Sequence, residues 1–148
     1  MESAESSKKV ALAAVLYFLI VFGAGFLLGP IRVLLLEPRL GPLVSVLCEA
    51  PLLLAAMIFA ARRVPRALRL GRDAGVLSVV GCAALILQQA SDVIVGVSLR
   101  GVGIAEQFTR FRTIEGLVYA GLLILFAAMP LLANRPWRAV RATPPARS

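Results

Sequence analysis

The chain has 148 residues, 59% of them hydrophobic and only 16% charged. That balance points away from a water-soluble domain, which carries more charge and fewer unbroken apolar runs. The formal net charge of +8 comes without a single histidine, which removes the commonest metal ligand, haem ligand and general base. The basic residues flank apolar runs, as anchoring and orienting residues of membrane proteins do, so no nucleic-acid partner is expected.

In chain order, residues 1–9 form a polar tail, read as frayed and cytoplasmic. An apolar run over 10–36 is the first of four stretches approaching or exceeding the ~20 residues that cross a bilayer. It is too long for a signal-peptide core and ends without a small-residue cleavage site, so it is read as a span. The turn "EPRLGP" is short, which makes the first two spans antiparallel neighbours. The second span covers 43–61. It is followed by "RRVPRALRLGR", holding Arg62, Arg63, Arg66, Arg69 and Arg72. The third covers 74–99 and the fourth 114–133. The connection between them, "RGVGIAEQFTRFRT", sets Ile104, Phe108 and Phe111 on one helical face. A short helix at the outer interface and an ordered loop with aromatic anchors both fit that pattern. Residues 134–148, with Arg135, Trp137 and Arg138, form a basic, proline-rich tail.

Eleven lysines and arginines fall on the side of the two termini, against Arg39, Arg100, Arg110 and Arg112 on the other. The positive-inside rule then puts both termini in the cytoplasm. The expected fold is all-α: one integral membrane four-helix bundle over 10–133, multi-pass in a bacterial inner membrane. The arginines of the basic loop, with Arg135 and Arg138, are the expected contacts to anionic lipid, at ~1 kcal/mol each. Cys48 and Cys82 should differ in depth by roughly 10 Å. A disulfide needs Cα atoms within about 7 Å. They are read as small buried hydrophobes.

Few charges interrupt the spans, and their placement is informative. Phe18, Phe22, Gly25, Gly29 and Arg32 recur at helical spacing on one stripe of the first span. Gly25 and Gly29 make a G-x-x-x-G pair, which admits a neighbouring backbone. Pro30 leaves the carbonyl of Phe26 without its helical donor. A charge in hydrocarbon costs at least ~2.5–3.5 kcal/mol, so Arg32 needs a partner or water. At similar depth stand Glu49 on the second span, Asp92 on the third and Glu115 on the fourth. The small-residue faces Ser45, Glu49, Ala56, Ala60 and Gly81, Leu85, Gln88, Asp92, Gly96 should point inward, with Tyr119 one turn beyond Glu115. Two readings of Arg32 stay open: an intramembrane pair with Glu49, or a side chain snorkelling to the interface. Glu37, Arg39, Arg100 and Glu115 are placed among headgroups on the second reading. Residues 10–28, 52–61, 76–87 and 117–133 carry no charge. The result is a polar basin at the outer end over an apolar floor, with carboxylates in excess of guanidinium. That excess favours a cation or a proton.

Nucleophile elbows, phosphate loops, zinc motifs and C-x-x-C pairs do not occur, so no catalytic residue, cofactor or metal is expected. The segments "GPIRVLLLEPRLGP" and "CEAPLLL" resemble small bacterial inner-membrane proteins carrying G-x-I-R, P-R-x-G and E-x-P across their first two helices. The resemblance covers Gly25 to Leu54. It implies four helices in a bacterial membrane, brings no activity, and draws attention to Arg32, Arg39, Gly41, Glu49 and Pro51. Two functions are expected. The first is an accessory protein acting through helix contacts, as a homo-oligomer or in a larger membrane complex. The alternative is a transporter or channel-like protein for a small solute, cation or proton, using the charged cluster.

Overall fold

The computed structural model describes residues 2–71, 73–101, 103, 109 and 112–134. They are helical, with no strand among them. Helix α1 (Glu2–Ile31) passes without interruption into a π-helical turn (Arg32–Leu36) and a short α2 (Glu37–Leu40). Then follow α3 (Pro42–Ala67), α4 (Ala74–Arg100) and α5 (Ile114–Asn134). Four helical stretches, Glu5–Leu40, Pro42–Ala67, Ala74–Ser98 and Ile114–Asn134, are long and apolar enough to cross a membrane. The polar N-terminal segment is not frayed: it extends α1 back to Glu2, and Lys9 pairs with Glu5 one turn away at 2.8 Å. Ile104, Phe108 and Phe111, which carry the expected interfacial helix, lie outside the described residues, as do Arg72, Arg135, Trp137 and Arg138.

The helices form a ring in the order α1, α3, α5, α4, each packing on its two neighbours. Helices α1 and α5 face each other across one diagonal, α3 and α4 across the other. The chain reverses at Gly41 between α2 and α3. Its φ of +80° and ψ of 164° suit glycine alone. The Ser45 hydroxyl donates to the Gly41 carbonyl at 2.6 Å and steadies this corner. At the opposite end α3 closes with a Schellman motif. Leu70 N–H bonds the Pro65 carbonyl at 2.9 Å, and Arg69 N–H bonds the Arg66 carbonyl at 3.1 Å. Arg69 takes the left-handed conformation that glycine usually fills, at φ 51°. Leu68 and Leu70 fold back onto Ala13, Ala14, Val64 and Val80, which seals that end with apolar contacts.

The main core lies at mid-height. Tyr17, Phe18, Val21, Met57, Ala60, Ala84, Phe126 and Met129 are buried there together. Tyr17 stacks on Phe126 across the α1–α5 diagonal, with ring centroids 4.7 Å apart and planes 15° apart. Prolines explain two of the polar contacts around this core. Pro130 has no N–H to return to the Phe126 carbonyl, and the buried Tyr17 hydroxyl donates to that carbonyl at 2.8 Å. Pro65 likewise abandons the carbonyl of Ala61. There the buried Asn134 side chain donates at 2.7 Å, while also reaching the Pro130 carbonyl at 2.8 Å. A buried carbonyl left without a donor costs about 1–3 kcal/mol, so each of these cross-helix bonds offsets a defect in a neighbouring helix.

The closest backbone approach lies between α4 and α5. A Cβ built on Gly81 would stand 1.9 Å from the carbonyl oxygen of Ala127, so only glycine fits. The expected approach at Gly25 and Gly29 does not occur within this chain. A Cβ at Gly25 would touch only the Leu53 side chain at 3.6 Å, and one at Gly29 would meet nothing within 4 Å. Cys48 and Cys82 are both free and both exposed on the outside of the bundle, which corrects their reading as buried hydrophobes. Each falls on the helix face turned away from the ring's centre.

Candidate functional site

Towards the Gly41 end all four helical rods line a cavity of about 800 Å³. Gly25 and Gly29 border it, and that is why they meet so little: they open space for the cavity where larger residues would close it. Val21, Phe22, Met57 and Phe126 make the floor, directly above the Tyr17–Phe126 stack. Polar side chains gather nearer the rim: Arg32 and Glu37 from the first helical rod, Glu49 from α3, Gln88, Gln89 and Asp92 from α4, and Thr113, Glu115 and Tyr119 from the start of α5.

These groups fall into two clusters. In the first, Arg32 Nη1 donates to Glu49 Oε2 at 3.0 Å. Glu49 is only 8% exposed, so its carboxylate has left solvent for a charge-assisted partner. The same guanidinium has its Nε 3.2 Å from Glu37 Oε1. That is an ion-pair separation without hydrogen-bond alignment, for Nε finds no acceptor in bonding geometry. Arg32 therefore stands between two carboxylates. Its side chain is 24% exposed, which fits a guanidinium at the lip of a cavity and not one buried in a packed core.

Glu37 is a member that the sequence places among headgroups on one of the two readings and pairs with nothing on the other. In an ordinary α-helix a residue five positions on lies well off the face of Arg32. The π turn changes that. Glu37 N–H bonds the carbonyl of Arg32, five residues back, and the widened turn swings Glu37 towards the guanidinium. Two prolines, Pro30 and Pro38, bracket this turn and each withholds a donor from the helix. That pair of prolines around an arginine was the available signal.

In the second cluster Gln88 Nε2 donates to Asp92 Oδ1 at 2.9 Å, and the Tyr119 hydroxyl donates to Asp92 Oδ2 from α5. Asp92 thus ties α4 to α5 as Glu49 ties α3 to α1. Thr113 begins α5 as its N-cap, its Oγ1 accepting from Gly116 N–H at 3.1 Å. Glu115 follows in the first turn, half-buried at the cavity wall, and forms no ion pair among the described residues. Gln89 Oε1 is also shut off from solvent and finds no donor there. Arg32 is the one basic residue among the described residues of the wall, against Glu37, Glu49, Asp92 and Glu115. No three histidines, cysteines or carboxylates among the described residues gather closely enough to hold a metal ion.

At the other end of the molecule Arg62, Arg63, Arg66 and Arg69 are all exposed, and Arg63 lies over the Phe59 ring at 5.2 Å. No family model, curated protein or solved structure matches the chain.

Proposed function

We propose that the chain crosses a bacterial inner membrane four times, with both termini in the cytoplasm, and binds a small solute in the cavity at its outer end. It then works as a carrier or channel-like protein. The observation that carries this reading is the cavity of about 800 Å³ itself, large enough for a small organic molecule and lined by all four helical rods. The direction rests on charge. The exposed arginines in the last turns of α3 and just beyond it supply the cytoplasmic excess and contacts for anionic headgroups. The floor formed by Phe22, Met57, Phe126 and the stacked Tyr17 closes the cavity towards the cytoplasm. Passage of a solute requires that stack to part.

The test is flux in proteoliposomes holding the full chain, scored for protons, alkali cations and small organic solutes. Glu49→Gln and Asp92→Asn each lower the flux that the parent supports. Unchanged flux in both variants would falsify the reading.

An accessory role through helix contacts is the second reading. Its support is the exposed run Leu117, Gly121 and Ile124 on α5, where a Cβ on Gly121 would meet open space. Such a notch admits a neighbouring helix. Cross-linking through the exposed Cys48 and Cys82 in native membranes traps a reproducible partner on this reading, and its consistent failure counts against it.

A further inference from the structure

The cavity has a chemistry as well as a size. Its lower part is aromatic and thioether, from Phe22, Met57 and Phe126. Its wall offers a carboxylate that no described residue pairs: Glu115 makes no ion pair among the described residues. Arg32 does not answer it, because its guanidinium is engaged by Glu37 and Glu49. Even with Asp92 set aside, three carboxylates line the wall against Arg32 as the one positive charge among the described residues.

Resting on the solute-pocket reading above, we infer that the ligand is an amphipathic organic cation: a primary or secondary ammonium group on an aromatic or branched apolar body. The ammonium donates to Glu115 and neutralises it. The apolar body descends onto the Phe22–Met57–Phe126 floor, where ring faces also favour positive charge. An anion of the same shape meets an excess of carboxylate. A neutral analogue fills the floor and leaves the wall unanswered. A bare metal ion uses none of the apolar volume.

Equilibrium dialysis of the full chain in lipid nanodiscs, with empty nanodiscs as background, compares three headgroups on one body: diphenylbutylammonium, diphenylbutanol and diphenylbutanoate. The ammonium binds saturably and about tenfold tighter than the alcohol, a difference of roughly 1.4 kcal/mol, and the carboxylate binds weakest. Glu115→Gln brings the ammonium down to the level of the alcohol and leaves the alcohol unchanged. If the alcohol or the carboxylate equals the ammonium, or if Glu115→Gln does not weaken it, the cationic class is wrong while a solute pocket survives. If none of the three binds saturably, the pocket reading falls with it.

Discussion

Removing the hydroxyl of Tyr17 takes away the only proton that the structure shows reaching the Phe126 carbonyl, because Pro130 has none to give. Tyr17→Phe therefore lowers stability by about 1–3 kcal/mol, measured by unfolding in mixed micelles. The dependence on proline is the sharper test. In a Pro130→Ala background the helix supplies its own N–H, and the cost of Tyr17→Phe shrinks. An equal cost in both backgrounds would mean that the hydroxyl serves something else. The ion pair at the cavity lip obeys a similar asymmetry. Arg32→Met strands the buried Glu49 carboxylate and costs about 3–5 kcal/mol, whereas adding Glu49→Leu recovers much of that loss. Stability measured for the two single variants and the double variant separates a pair that holds helices together from two charges that merely sit near each other.

Among elements, the two kinds of glycine in this bundle do opposite work. Gly81 lets α4 and α5 touch through their backbones, and Gly25 and Gly29 leave room beside α1 that the cavity occupies. Gly81→Ala must push Ala127 aside and costs about 1–3 kcal/mol. Gly29→Ala meets open space and gains about 0.5–1 kcal/mol from better helix propensity. Thermal unfolding of both proteins in one detergent checks the pair, and similar values for the two would contradict the assignment. The G-x-x-x-G spacing alone does not distinguish these roles, since it specifies a smooth face and not what lies opposite. The inward turn of Gly81, Gln88 and Asp92 was legible, because small and polar residues at helical spacing leave an apolar stripe little choice of direction. Four long apolar helices were legible for the same elementary reason, length and composition. Glu37 was not, because its position depends on one extra residue in a turn that periodicity treats as regular. Tyr17 and Asn134 were missed although a signal existed. Each sits opposite a carbonyl freed by a proline four residues on, the reasoning applied to Pro30 but not to Pro65 or Pro130.

For the whole molecule, the two ends differ in kind. The Arg69 end is closed by a helix cap, by Leu68 and Leu70 and by a small-residue core, with exposed arginines outside it. At the Gly41 end a cavity opens between the helices beside two glycines and a widened turn, and ionisable groups line it. The decisive property is that water reaches that space from one side only. The direct measurement is labelling by a membrane-impermeant, positively charged methanethiosulfonate in right-side-out and inside-out vesicles, with Cys48 and Cys82 replaced by serine. A cysteine at Gly29, on the cavity wall, reacts from the periplasmic side and not from the cytoplasmic side. One at the fully buried Ala84, in the core beneath the floor, reacts from neither. Protection of the Gly29 position from both sides, or its labelling from the cytoplasm, would contradict a one-ended basin above a closed floor.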